Sequence, residues 1–329
     1  MPPIAVLGCM IVNRADLTLK MLRSIDYPVD RVVLSHNADT HEETNNEVDK
    51  LMEQAKAGTL DLGHKHVKTF ITYHHHKNLG FSAGANQIIM GAPDAAYWLI
   101  ANNDISFRPG SLKEIAKNMA DSNAHKTSCL WGMAGDQVSQ YSLFALTPRA
   151  VKSVGYFDEN FWPAYGEDCD YTIRLMKAKC PIIMEQNPAR LADHHGSASW
   201  KTTQGKSGVS KFVQRGGPTF NNFDYLGAKW GADVCGSRMP VEPYMKSVGY
   251  ATPFNKPEAT VASWKLNTVR RAQIGGPSEC LICDSERGPM LQFESFASNL
   301  TNIVSPAGAP LLFGKGAKGA KGGQINVAI

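Results

Sequence analysis

In roughly the first third of the chain, four short apolar runs each stop on polar side chains and give way to helical spacing. That rhythm constrains the fold more than any other feature. Ile4 to Val12 is a continuous apolar run ending at Asn13-Arg14, which is how a strand covered on both faces reads. From Asp16, a candidate cap, the residues Leu17, Leu19, Met21, Leu22 and Ile25 mark an amphipathic helix that Pro28 ends. Arg31 to Leu34 is a second strand, ending on Ser35-His36-Asn37-Ala38-Asp39. Residues 41–57 carry weak helical spacing and close at Gly58. Val67 to Tyr73 alternates as a third strand. Asn78 to Asn86 is a glycine-bearing turn that opens a helix through Ile88, Ile89 and Met90. Tyr97 to Ala101 is apolar and stops on Asn102-Asn103-Asp104, and a helix through Leu112, Ile115, Ala116 and Met119 follows.

Strands that alternate with helices predict an α/β fold with a mostly parallel sheet. Such sheets bind ligands at the carboxyl ends of their strands, so Asn13, His36, Asn37, Asn103 and Asp104 should line one edge. Asp104 is the first candidate for chemistry, as a hard oxygen ligand for a divalent cation. The third strand runs into His74-His75-His76. Three consecutive residues cannot all face one ion, so this run reads as a solvated loop.

The second half is less regular. Tyr141 to Leu146 is strand-like, Pro148 to Val151 opens a short helix, and Gly155 to Asp158 is a turn. Glu167-Asp168-Cys169-Asp170 starts a helix that carries Ile173, Leu175 and Met176. Cys180 to Met184 is another strand, and Asp193-His194-His195-Gly196-Ser197 is read as a loop. A helix start favours ionised carboxylates, which suits Glu167 and Asp168 to general-base work near neutral pH. Beyond about residue 275 the pattern fades towards the Gly-, Ala- and Lys-rich stretch at 314–323, read as a tail.

Composition narrows the function. A formal charge of +4 spread along 329 residues argues against nucleic-acid binding and fits a phosphorylated small molecule. No secretory leader and no apolar run of membrane-spanning length is visible, so any membrane contact would be peripheral. Seven scattered cysteines predict reduced thiols and a cytoplasmic setting. Cys280-x-x-Cys283 lacks the second Cys or His pair a zinc site needs. A dinucleotide-dependent dehydrogenase would need Gly-x-Gly-x-x-Gly after the first strand, and Cys9 to Asp16 contains none.

Taken in order, these segments resemble family 2 glycosyltransferases of the GT-A fold, on the branch with rhamnosyl- and galactofuranosyltransferases. The matching residues are Ile4 to Arg14 with Asp16-Leu17-Thr18-Leu19, Asn78 to Asn86, Asn102-Asn103-Asp104, and Val154 to Glu159. Glu167 to Tyr171 with Arg174-Leu175, and His194 to Ser199, complete the series, and Tyr225 with Lys229-Trp230-Gly231 resembles the carboxyl-terminal segment of that branch. The resemblance implies a Rossmann-like central sheet in a catalytic domain over 1–200. An acceptor-side extension over 201–275 and an irregular tail over 276–329 would follow.

The implied activity is inverting transfer of a sugar from a UDP-, dTDP- or GDP-sugar to a hydroxyl of a glycan or glycoconjugate acceptor. Asp104 would stand at the last position of the family's Asp-X-Asp motif, with Asn102 at the first, and would hold Mn²⁺ or Mg²⁺ together with His194. His195 has the lesser claim. Asp168 would be the general base, with Glu167 and Asp170 supporting it or touching the acceptor. Val12, Asn13, Arg14, His36, Asn37, Asn78, Gly80, Gly84, Asn86, Asn102 and Asn103 would surround the donor. His36 stands where an Asp is usual. The competing reading is a non-catalytic carbohydrate- or nucleotide-binding protein on the same fold.

Overall fold

The computed structural model describes residues 1–38, 42–121, 124–133, 141–159, 161–185, 190–195 and 325–327, with Asn222 and Leu226. In chain order the first elements are β1 (Ile4–Ile11), α1 (Ala15–Arg23), β2 (Val29–Asn37), α2 (Glu42–Lys56), β3 (Val67–His75), α3 (Phe81–Gly91) and β4 (Trp98–Asn102). Next come β5 (Ile105–Phe107), α4 (Ser111–Asp121), α5 (Ala124–Thr127), β6 (Leu130–Met133), β7 (Leu143–Leu146) and α6 (Pro148–Val154). The described elements end with α7 (Glu167–Lys177), β8 (Ile182–Glu185), β9 (Ala192–His194) and β10 (Ile325–Val327).

The main sheet runs β10-β8-β6-β7-β4-β1-β2-β3. Its half from β3 to β4 is parallel throughout, β7 runs antiparallel to both β4 and β6, and β6 and β8 are parallel again. Successive strand residues point to opposite faces, and both faces are covered. On β4, Leu99 and Ala101 join a core with Met21, Leu22, Val48, Met52, Leu112 and Ile115, from α1, α2 and α4. Trp98 and Ile100 join the opposite core with Ile88, Val151, Val154, Tyr171 and Leu175, from α3, α6 and α7. Continuous apolar runs are what a sheet buried on both sides demands, and the mostly parallel α/β architecture follows.

Several local readings need correction. Ala192–His194 is strand β9, paired with β5, where the sequence read a loop. β3 continues through His75, so two of its three consecutive histidines are in register with β2 rather than in a solvated loop. β6 carries only four residues, too few to show a period. The residue before α1 is Arg14, left-handed at φ 58 and ψ 59, so Asp16 is not the cap; it lies in the first turn and pairs with Arg14 at 2.7 Å. Cys129 and Cys180 form a disulfide where reduced thiols were expected. Cys129 directly precedes β6 and Cys180 lies two residues before β8, whose parallel register opposes Leu130 to Ile182, and this brings together two residues 51 apart in sequence. Disulfides belong to oxidising compartments, so the cysteines no longer support a cytoplasmic setting. Among the described residues no helix is long and apolar enough to cross a membrane.

The segments around Tyr225, Trp230, Cys280 and the Gly-, Ala- and Lys-rich stretch lie outside the described residues. Asn222 donates its side-chain amide to the Ala164 carbonyl at 2.9 Å.

Candidate functional site

The site starts where β4 ends. Asn102 is opposite Met10 of β1, and the chain then turns through Asn103 and Asp104 into β5. The Asn103 amide donates to the Asn13 carbonyl at 2.8 Å, which joins the ends of β4 and β1. β5 pairs antiparallel with β9, with Ile105 opposite His194. That register sets His194 beside Asp104: Nε2 lies 3.6 Å from Oδ1, and the His195 N–H donates to the Asp104 carbonyl at 2.9 Å. The next residue faces elsewhere, and the His195 ring meets the Ser106 hydroxyl at 2.8 Å. Asp104 and His194, 90 residues apart in sequence, therefore share one corner, and His195 does not join them. The Arg14 guanidinium is held protonated first by its bond to Asp16, and the Asp104 charge adds to this.

A second group of acidic residues lies at the start of α7. Tyr165 and Gly166 both take positive φ, 76 and 94. Two consecutive left-handed residues turn the chain sharply, and only the second is a residue without a Cβ penalty there. The turn delivers Glu167, Asp168 and Asp170 at a helix N-terminus. Asp168 Oδ1 accepts the Cys169 N–H at 2.8 Å. Burial nevertheless pushes the Asp168 carboxyl up to about 6, with the backbone N–H groups pulling the other way. Glu167 is raised well above the usual carboxylate range, by burial first and then by the Asp168 charge. Its Oε2 is buried with no hydrogen-bond partner among the described residues. The helix start was expected to keep both carboxylates ionised, and this is corrected: desolvation outweighs the N-terminal N–H groups, and Glu167 favours its neutral form.

Asp170 does something different. It is fully buried and paired with Arg174 at 2.9 Å, one helical turn on. Arg174 also donates to the Val154 and Tyr156 carbonyls at 2.7 and 2.9 Å. Asp170 therefore ties α7 to the turn after α6, and the reading that it supports the base or meets an acceptor is corrected.

Four donor-side readings change in the same way. Asn86 is buried, donates to the Phe157 carbonyl and the Glu159 carboxylate, and accepts the Phe157 N–H. Its amide is spent on protein. A Cβ on Gly84 would lie 2.9 Å from Met10 Cγ and 3.2 Å from Asn37 Nδ2, so the missing side chain makes room for strand residues rather than for a nucleotide. Asn37 is buried and donates to the Gly80 carbonyl at 3.0 Å. His36 is 2% exposed and turned to Asp49 of α2, at 2.9 Å.

Asn78 and Gly80 shape the turn before α3. The Gly80 N–H bonds Asn78 Oδ1 at 2.9 Å, Trp162 donates to the Asn78 carbonyl at 2.8 Å, and the Phe81 N–H reaches the Pro163 carbonyl at 2.8 Å. Val12, Arg14 and Asn102, at the ends of β1 and β4, retain some exposure.

Tyr165 was not singled out from the sequence. Its ring is 40% exposed, and its pKa is raised first by desolvation and then by the charges of Glu167, Asp168 and Asp104. One phenol thus lies within electrostatic reach of both groups. The available signal was its place in Pro163-Ala164-Tyr165-Gly166, directly before the acidic helix start.

No family model matches the chain. A galactofuranosyl glycosyltransferase from Leishmania donovani is 59% identical over 155 residues, which cover 44% of this chain and 34% of that protein. The chain thus matches about a third of that curated relative's length. Among solved structures, S. aureus TarS 1-349 aligns with 53% of this chain and 56% of its own, at 13% identity and a TM-score of 0.38. Glucosyl-3-phosphoglycerate synthase from Mycobacterium tuberculosis aligns with 53% of this chain and 65% of its own, at 11% identity and a TM-score of 0.35. These structural likenesses are too loose to carry the fold or the function.

Proposed function

We propose that this chain is the donor-binding and catalytic part of a metal-dependent, inverting glycosyltransferase of the GT-A type, with galactofuranose the first sugar to test. The observation that carries the reading is the meeting of Asp104 and His194, on two different elements, with Tyr165 within electrostatic reach of Asp104, Glu167 and Asp168. The 155-residue similarity to a galactofuranosyl glycosyltransferase supports it.

The residues present fit a hard divalent cation. Asp104 Oδ1 and His194 Nε2 are 3.6 Å apart, so a small approach of the half-exposed His194 would reach the roughly 3.0 Å edge of an octahedral ion with bonds of about 2.1 Å. Asp104 and His194 would hold Mn²⁺ or Mg²⁺, which when bound neutralises charge on a leaving nucleoside diphosphate. Asp168 accepts the proton of the acceptor hydroxyl as that oxygen bonds to the anomeric carbon. The bond from that carbon to the diphosphate oxygen breaks, and its electron pair leaves with the nucleoside diphosphate. A base near pH 6 is largely ionised at neutral pH and more basic than an ordinary Asp, which favours proton removal. Burial and the Asp168 charge push Glu167 towards its neutral form. The acceptor would be a glycan or glycoconjugate.

The test is transfer and hydrolysis with a panel of UDP-, dTDP- and GDP-sugars, galactofuranose included, with Mn²⁺ and with chelator. Metal-dependent turnover of one donor, lost in Asp168→Asn with donor binding retained, is the expected result. Absence of both turnover and metal-dependent binding across the panel would overturn the proposal.

A further inference from the structure

We propose that His36, Asp49 and His74 form a transition-metal site, best suited to Zn²⁺, that is separate from the Asp104–His194 corner. It does not depend on the glycosyltransferase reading.

The parallel register of β2 and β3 sets His36 directly opposite His74, so both side chains leave the same face of the sheet. That face is covered by α2. Asn45, Asp49 and Glu53 recur at four-residue intervals and so share one stripe of the helix. Both imidazoles aim the same atom at the same target: His36 Nδ1 is 2.9 Å and His74 Nδ1 3.0 Å from Asp49 Oδ1. All three ligand atoms lie within 4.8 Å of one another.

Tetrahedral Zn²⁺, with bonds of about 2.0–2.1 Å, needs ligand–ligand edges of about 3.3 Å. Two edges are already within a few tenths of that value. Asp49 is the ligand that can retreat to open them, since its side chain is 46% exposed while that of His36 is 2% exposed. The half-open side leaves room for water as the fourth ligand. Two imidazoles and one carboxylate form a borderline donor set that selects Zn²⁺ over Mg²⁺ or Ca²⁺.

The outer shell agrees. His74 Nε2, the nitrogen turned away from Asp49, lies 3.7 Å from Glu53 Oε1. A proton on Nε2 directed at Glu53 leaves Nδ1 as a lone pair for the ion, the arrangement that orients metal-bound histidines. A bound ion would staple β2, β3 and α2 beside Asn37, which holds the turn before α3.

The experiment strips the full chain with chelator, dialyses it, and follows Zn²⁺ uptake by competition with a chromophoric chelator. Co²⁺ absorption serves as a report on tetrahedral geometry. The expected result is a Zn²⁺ equivalent, with a tetrahedral Co²⁺ spectrum, that persists in Asp104→Asn and in His76→Ala. In His74→Ala and Asp49→Asn the affinity falls by at least the roughly 10–100-fold that loss of a supporting residue costs. Circular dichroism confirms folding; His74 lies at the end of an edge strand, so its truncation spares the core. Wild-type protein that takes up no Zn²⁺, leaving only a hydrogen-bonded trio, would overturn the proposal, as would His74→Ala and Asp49→Asn that bind Zn²⁺ unchanged.

Discussion

Replacing Asp168 by Asn tests the site through stability as well as through activity. Burial raises the Asp168 carboxyl from an ordinary 3.8 to about 6. A shift of about two units corresponds to about 3 kcal/mol that the native state gives up to carry this charge at pH 7.5. The sign follows from the direction of the shift. Below the unfolded value, near pH 4, both states bind the proton and there is no penalty. As pH rises through about 6 the native state is charged in a desolvated place, and stability falls. Asn keeps the shape and an oxygen for the Cys169 N–H but never ionises.

Asp168→Asn should therefore be more stable than wild type at pH 7.5 by up to about 3 kcal/mol, worth several degrees in Tm for a chain of this size. The gain should shrink as both proteins are compared at lower pH, down to pH 4. Thermal melts from pH 4 to 8 read this directly. Transfer should fall by about 10²–10⁴-fold if Asp168 is the base. A variant that melts at or below wild type at pH 7.5, with a parallel pH profile, refutes the claim that this carboxylate is held against desolvation.

Other perturbations probe the remaining residues. In wild type, the acidic limb of kcat/KM should titrate near pH 6 and belong to the Glu167–Asp168 pair as a unit, which a pH–rate profile checks. Asp104→Ala should remove Mn²⁺-dependent donor affinity, with His194→Ala weaker in effect; unchanged calorimetric titrations would dissociate this corner from metal. Arg174→Ala strands the Asp170 carboxylate in the core and should cost about 3–5 kcal/mol in denaturant unfolding. Gly84→Ala forces a methyl against Met10 and Asn37 and should cost about 1–3 kcal/mol by the same measurement.

The parallel half of the sheet was legible because β1, β2 and β4 carry continuous apolar runs, β3 alternates, and helices intervene between them. β1 to β4 fall where the runs place them. The antiparallel half was harder. β6 and β9 have four and three residues, too short for any period, and β9 exists only because β5 offers it an edge. The Asp104–His194 meeting could not be read from spacing; it is a consequence of that short ladder. Residue type also misled where side-chain direction decides. Asn37 and Asp170 are polar and sit near a strand or helix end, and Asn86 follows a glycine-bearing turn, as ligand-binding residues do. Each is instead spent on bonds that hold elements together. His36 looked like a misplaced nucleobase contact until the register with His74 turned it towards α2.

The Asp104 corner and the start of α7 are held by opposite means, and this bears on what each can do. Asp104 is fixed by backbone: the His195 N–H holds its carbonyl, and the ladder behind it leaves its carboxylate aimed at His194. Its geometry is set while its charge stays available to a cation. Asp168 sits on a helix whose buried ion pair is made by a different residue, Asp170 with Arg174, while its own carboxylate accepts the Cys169 N–H. Glu167 beside it takes the proton that two adjacent carboxylates in a desolvated turn cannot both give up. In the proposed reaction a fixed metal ligand at Asp104 and a separate proton acceptor at Asp168 would serve the leaving-group and nucleophile sides of the displacement.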